Sequence, residues 1–465
     1  MFDEQINMLN HAALMELRGA VHEVRGLSLR VADLPVPVGA MVQILTNRGR
    51  GVTMDGQVVG FDRDQTVVMP LCDTAGIARG DVVVAREYTA TVRVGQSLLG
   101  RVLDGMGEPM DGKGPLRDTV TRLLNPPPVD PMDRPLIDKP LATGVRAIDS
   151  MLSVGLGQRL GIFASPGLGK STLLGTMARH TSADVVVIGL VGERGREVRD
   201  FIENQLGPEG SKRAVVVAAT GDDCALLRIR AAMVATSVAE YFRDEGNDVL
   251  LIMDSVTRFC QAQRQVGLAT GEPPATKGYT PSVFSMLPVL LERSGRTSRG
   301  SITGFYSVLV EGEELTDPIA DAARGILDGH VLLSRDLANN GHWPAIDVVT
   351  SISRVADEVT DADHQNARRQ VMRLVHAYRQ VEDLLNIGAY SSGSNPDFDL
   401  AIACKPQIDQ LLQQSRTRNA DKADFTKTRA ILMAVHQQVE RLRGQLGKMP
   451  GRGGNQMPNP AQARR

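Results

Sequence analysis

Between Arg159 and His180 the chain reads RLGIFASPGLGKSTLLGTMARH, an apolar run, a loop with two glycines, then a stretch of helix formers. That strand–loop–helix order constrains the fold more than any other stretch. A loop of the form G-x-x-x-x-G-K-[ST] in this setting holds phosphate: the glycines let the backbone turn its amides inward. The lysine neutralises β and γ oxygens, and the last hydroxyl ligates magnesium. Here the loop runs Ala164-Ser165-Pro166-Gly167-Leu168-Gly169-Lys170-Ser171 and is followed by Thr172. Ala164 stands where the first glycine is usual, which is harmless if it merely ends the strand and the loop begins one residue later. Pro166 has no amide hydrogen, so phosphate must rely on the donors from Gly167 to Ser171. Residues 165–172 are therefore the candidate nucleotide-binding loop, with Lys170 for charge and Ser171 for the metal.

From about Thr143 to Ala356 similar apolar runs recur: RLGIFA, DVVVIGLVG, RAVVVAAT, DVLLIMD, SITGFYSVLV and GHVLLS, alternating with helical stretches. The alternation predicts a mainly parallel sheet covered by helices. In DVLLIMDS, Asp254 ends a strand beside the loop, where it can hold magnesium through water or simply cap the next helix. In GLVGERGREVRDFIE, Glu193 and Arg194 follow another strand, so both side chains are expected to face the crevice at the strands' carboxyl ends. Glu193 can there orient and deprotonate a water; otherwise it pairs on the surface with Arg196 or Arg199.

The flanks differ in texture. Phe2, Ile6, Leu9, Ala13 and Leu17 recur at steps of three and four, predicting an amphipathic helix within residues 1–23. It packs on its own domain or docks on a partner. Short β-branched runs such as MVQIL, GQVVGF and DVVVA over 24–97 predict a small β-barrel. The central α/β domain is assigned to 98–365, including NPPPVDPMDRPLIDKP at 125–140, an extended connection because each proline removes a backbone donor. Helix formers dominate 366–443, a helical C-terminal domain, and 444–465 reads as a disordered basic tail.

Composition narrows the function. The 52 basic and 54 acidic residues leave a net charge of −2, and only 4% are aromatic, so nucleic acid is not the expected partner. Cys72, Cys224, Cys260 and Cys404 are scattered, excluding a zinc pattern and reading as small buried hydrophobes. The start MFDEQINMLN lacks the apolar core of a secretory signal, and no run reaches membrane-spanning length, so the cytoplasm is expected.

From about Gly95 to Ser394 the chain resembles the ATPases of flagellar and virulence type III export, relatives of the catalytic subunit of rotary ATP synthases. The resemblance is carried by GRVLDGMGEPMDGKGPL, GERGREVRDFIE, DSVTRF, GEPPATKGYTPSVFSMLP, DPIADAARGILDGH and WPAIDVVTSISR. It implies a RecA-like domain that hydrolyses ATP with Mg2+. It implies that Glu193 activates water, that Arg194 senses the γ-phosphate, and that Arg354 of SISR reaches the γ-phosphate of an adjacent subunit. Trp343, the only tryptophan, falls where a tyrosine usually stacks on adenine. The resemblance further implies a homo-hexamer, a stator-like regulator on the N-terminal helix and a stalk protein in the ring. Its other implied partners are an export gate, chaperones and export substrates, met at the cytoplasmic face of the inner membrane. VEDLLNIGAYSSGSNPDFDLAI, Val381 to Ile402, is more similar to the flagellar than to the injectisome branch. A non-catalytic subunit of a rotary ATPase typically lacks the activating glutamate that this chain has at Glu193. A hexameric nucleic-acid translocase is opposed by the charge and the few rings.

Overall fold

Successive side chains of a strand point to opposite faces, so a strand covered on both sides is apolar at every position. Val185–Glu193 behaves this way: Val185, Val187 and Val191 enter one buried cluster, while Val186, Ile188 and Leu190 enter another. The computed structural model describes residues 16–46, 52–310, 317–415 and 424–446. At its centre lie the strands β7 (Val102–Leu103), β8 (Arg159–Ala164), β9 (Val185–Glu193), β10 (Ala214–Thr220), β11 (Asp248–Asp254), β12 (Ser301–Leu309), β13 (Gly329–Leu332) and β14 (Ile352–Ser353). Here β1 to β6 are the barrel strands described next. The sheet order is β14-β13-β8-β12-β11-β9-β10-β7. All pairs along it are parallel except β13 with β14. The expected mainly parallel sheet is present, and its carboxyl ends share one edge.

Six antiparallel strands, β1 (Arg18–Arg25), β2 (Ser28–Ala32), β3 (Met41–Leu45), β4 (Thr53–Asp62), β5 (Gln65–Pro70) and β6 (Val82–Glu87), close a barrel in the order β1-β2-β5-β4-β3-β6. Its interior holds Val21, Leu29, Val31, Val42, Ile44, Val58, Val68 and Val83. The barrel begins earlier than the sequence reading placed it. Residues 1–15 of the expected helix lie outside the described residues, but from Arg18 the chain is strand. Closure explains this: β1 pairs with both β2 and β6, and Gly19 lies where a Cβ would stand 2.5 Å from the Ala32 carbonyl. Cys72, expected to be buried, is exposed just after β5, whereas Cys260 and Cys404 are buried.

One face of the central sheet is covered by α3 (Ala225–Asp244), α4 (Val256–Thr270) and α5 (Pro281–Leu291). The other is covered by α1 (Arg146–Met151) and α2 (Lys170–His180). The C-terminal helices α6 (Ala362–Asn386), α7 (Pro396–Leu412) and α8 (Phe425–Leu446) join that second core through Val371, Leu374, Cys404, Ile408, Leu432 and Val439. Their apolar positions recur at three- and four-residue steps. α8 runs to Leu446, past the start expected for the tail; residues 447–465 lie outside the described residues. Among the described residues no helix is long and apolar enough to cross a membrane.

Arg293, just beyond α5, locks the first core. It binds both carboxylate oxygens of Glu240 on α3 at 2.9 and 2.6 Å, the Leu124 carbonyl at 3.0 Å and Ser237 Oγ at 2.8 Å. Both partners are only 10% exposed. Removing one member of such a pair strands the other charge without water. Glu240→Ala should therefore lower unfolding free energy by about 3–5 kcal/mol in urea titrations, while Glu240→Leu with Arg293→Met should lose much less.

Candidate functional site

The phosphate loop leaves β8 at the fully buried Ala164 and enters α2 at Lys170. Gly167 and Gly169 have φ of 86° and 78°, torsions that side chains with a Cβ rarely adopt. Pro166 is exposed on the loop, and Ser165 is buried with its Oγ donating to the Val310 carbonyl at 3.2 Å. The helix amides beginning at Lys170 and the exposed Ser171 hydroxyl stand at its open end.

Asp254 ends β11 and is 3% exposed. Its Oδ1 pairs with Lys170 Nζ and accepts from Ser307 Oγ at 2.6 Å, while Lys170 also donates to Ser307 at 3.2 Å. Loop and strand end thus meet as expected. A buried carboxylate held by a lysine and a hydroxyl suits a cation and a phosphate, which would divide the two charges between them. Among the described residues no group of three or more His, Cys, Asp or Glu could hold a metal alone. Magnesium would therefore be held by Ser171, by Asp254 through water, and by phosphate oxygens, the usual arrangement for an ion that dehydrates reluctantly.

β9 lies beside β11 with Leu190 in register with Asp254, so Glu193 projects beyond the same edge. Its carboxyl is pushed up to about 7, first by burial and then by the charge of Asp254, with Lys170 opposing. A carboxylate near neutrality is a usable proton acceptor, and the surface pairing of Glu193 with Arg196 or Arg199 is not formed. Arg199 pairs instead with Glu203 at 2.7 Å. Arg194 does not face the crevice: it turns outward, 86% exposed, and pairs with Glu197 at 3.3 Å.

Beside the loop, Trp343 lines a cleft with Val145, Leu168, Thr172, Pro344 and Gln414. The aromatic face and aliphatic walls suit a flat base. Sequence reading missed Gln414, which lies just past α7. Its backbone N donates to the Trp343 carbonyl at 2.8 Å, its Oε1 accepts from Arg146 N at 3.0 Å, and its Nε2 donates to the Gly144 carbonyl at 3.0 Å. One residue ties three walls together, and only its tertiary contacts reveal it. The 143–144 loop is held from beneath by fully buried Asp149, which accepts from Thr143 N at 2.8 Å and Thr143 Oγ1 at 2.7 Å.

Arg354 is remote from all of this. It follows β14, its backbone N donates to the Asp328 carbonyl at 3.0 Å, and Asp328 N donates to the Arg159 carbonyl at 2.9 Å. Arg354 thus lies at the amino end of β8, the end opposite the phosphate loop, with its side chain exposed.

Gln414→Ala should weaken ATP binding about tenfold, the scale of one to two side-chain hydrogen bonds of about 1 kcal/mol each. Quenching of Trp343 fluorescence during an ATP titration would measure it.

Residues 144–353 match the ATP synthase alpha/beta family, nucleotide-binding domain, and residues 360–434 match the T3SS EscN ATPase C-terminal domain. The flagellum-specific ATP synthase of Pseudomonas aeruginosa is 48% identical over 90% of this chain and 93% of its own. The type 3 secretion system ATPase of Xanthomonas euvesicatoria is 49% identical over 85% and 89%. The assembled ATPase EscN of enteropathogenic E. coli superposes with a TM-score of 0.84 at 41% identity, covering 90% of this chain and 100% of EscN. The chain is therefore a member of the flagellar and type III secretion ATPases within the ATP synthase alpha/beta family.

Proposed function

We propose that this export ATPase works as a ring of six copies with ATP at each interface, driving the engagement, unfolding or release of proteins exported by a flagellar type III apparatus. The position of Arg354 carries the reading. β8 has six residues, so its two ends stand about 17 Å apart at ~3.3 Å per residue. An extended arginine reaches only about 7 Å from its Cα by bond geometry. Arg354 therefore cannot serve its own loop, and a neighbour's loop is the phosphate site it can complete.

In this reading Lys170 and the loop amides bind the triphosphate, and Trp343 stacks on the base. Glu193 positions the attacking water and takes its proton. Arg354 enters from the next subunit to stabilise charge on the transferring phosphoryl group, so that turnover requires assembly. Ser171, and Asp254 through water, would hold magnesium, which when bound would supply charge neutralisation at the phosphate oxygens. Arg194 reaches the γ-phosphate only by leaving Glu197, which makes it a candidate for rearrangement on binding.

The flagellar branch is favoured by the Val381–Ile402 segment, and a virulence injectisome is the alternative. A complex of EscN with its central stalk EscO supports a stalk protein for this ring. The N-terminal residues are assigned to a stator-like regulator. Peripheral attachment at the inner membrane, through the export gate and with chaperones delivering substrates, completes the proposal. Restored swimming on expression in a flagellated strain lacking its own export ATPase supports the flagellar assignment; failure there with restored injectisome secretion reverses it.

Glu193 acts as a base only when deprotonated, and its raised pKa sets the window. kcat/KM should be low below pH 6, rise through an inflection near 7, and level off above 8. Glu193→Gln should retain ATP binding and lose at least about a hundredfold in kcat, on the scale of general-base catalysis. Glu193→Gln and Arg354→Ala should each be inactive alone but regain activity when mixed into common rings, since some interfaces then carry both native groups.

A further inference from the structure

The proline-rich connection is the sequence motif that nucleotide chemistry leaves unused. Along it Met132 is 91% and Leu136 88% exposed, the most exposed large apolar side chains among the described residues. They are not on a loose loop. Arg134 donates to the Ser294 and Glu292 carbonyls at 3.0 and 2.8 Å, and Arg296 donates to the Leu136 carbonyl at 2.8 Å and pairs with Asp138. Asp130 accepts from Met132 N at 2.8 Å, and prolines stiffen the rest. The backbone is pinned while the two side chains point away.

Their location is informative. A Cβ on Gly155 would stand 2.1 Å from Ile137 Cγ2, 3.0 Å from Val359 Cγ1 and 3.4 Å from Val355 Cγ2. Ile137 is therefore packed beside the turn that carries Arg354, and Leu136 is its outward-facing neighbour. Ile352, two residues before Arg354, is itself 50% exposed. Ile352 and Arg354 thus leave the same short segment, and Leu136 sits one residue from Ile137 on the Val355 side of that turn, with Met132 further along the same pinned segment.

We propose that Leu136, supported by Met132 and Ile352, anchors this face on a second copy of the chain. The inference rests on the reading that Arg354 completes a neighbour's site. Whatever covers Arg354 must come close to Leu136, and the only surface that Arg354 serves is the crevice beside Lys170 and Glu193 of another copy. A rigid aliphatic anchor costs little conformational entropy to dock, and by excluding water it strengthens the field of the guanidinium beside it. The connection is thereby a device for aiming Arg354.

The test uses the full chain carrying Leu136→Asp, with specific ATPase activity and sedimentation followed against protein concentration. The concentration for half-maximal activity should rise about tenfold or more, and the plateau at high concentration should approach that of the unmodified chain. ATP binding to the unassembled chain, read by Trp343 fluorescence, should not change, which excludes misfolding, and Leu136→Met should restore normal assembly. If Leu136→Asp leaves the concentration dependence unchanged while Glu193→Gln and Arg354→Ala still complement in mixed rings, the anchor is overturned and the shared site stands. If those two fail to complement in mixed rings, the shared site falls and the anchor with it. Normal assembly of Leu136→Asp combined with loss of export would assign the face to another protein and overturn the proposal.

Discussion

A parallel sheet has a direction, and the molecule is organised by it. The helices that cover both faces leave the carboxyl ends of the strands as the open edge, and there β8, β9 and β11 deliver the phosphate loop, Glu193 and Asp254. The ion pair of Lys170 with Asp254 holds that edge together across strands that are not adjacent, with Ser307 of the intervening β12 bonded to both. The amino edge bears Arg354. Because the core between the two edges is packed to near-zero exposure, no bend of a single chain can bring them together. Under the proposed role of Arg354, completion by a second copy follows from the sheet's length and polarity.

Local features were legible in the sequence and tertiary ones were not. Each apolar run from RLGIFA to GHVLLS became a strand of the central sheet, since a strand buried on both faces announces itself by unbroken hydrophobicity. The loop was readable because lysine and glycine sit at fixed offsets between a strand and a helix. The conversion of Arg18–Arg25 to strand was hidden, since its exposed residues dilute the alternation and only ring closure with β6 requires it. The outward turn of Arg194 was equally hidden: adjacent residues at a strand end diverge, so with Glu193 toward the crevice Arg194 here turns out to Glu197. Cys72 followed the general preference of cysteine for burial only until a surface turn overrode it.

The proline in the phosphate loop finds a physical context here. Pro166 removes one amide donor and stiffens the chain, and the flanking residues supply what it cannot: Ser165 tethers the loop to Val310, and the two left-handed glycines make the turn. Binding to such a loop costs less ordering entropy than binding to a mobile one, which offsets part of the lost hydrogen bond. The stiffness also fixes where Lys170 stands relative to Asp254.

Gln414 places the helical C-terminal region in direct contact with the cleft beside the phosphate loop. It lies two residues beyond the end of α7 and bonds to Trp343, Arg146 and Gly144, so the walls of that cleft and the helical bundle share a residue. The shared hydrophobic core beneath it, from Leu173 and Leu174 of α2 to Ile408 and Leu411 of α7, makes independent movement of the two regions costly. By linkage, if a shift of the bundle changed base affinity, base binding would bias the bundle's own conformational equilibrium by the same free energy. If a protein gripped the C-terminal helices, this shared core is the route by which it would reach the cleft without touching the phosphate loop.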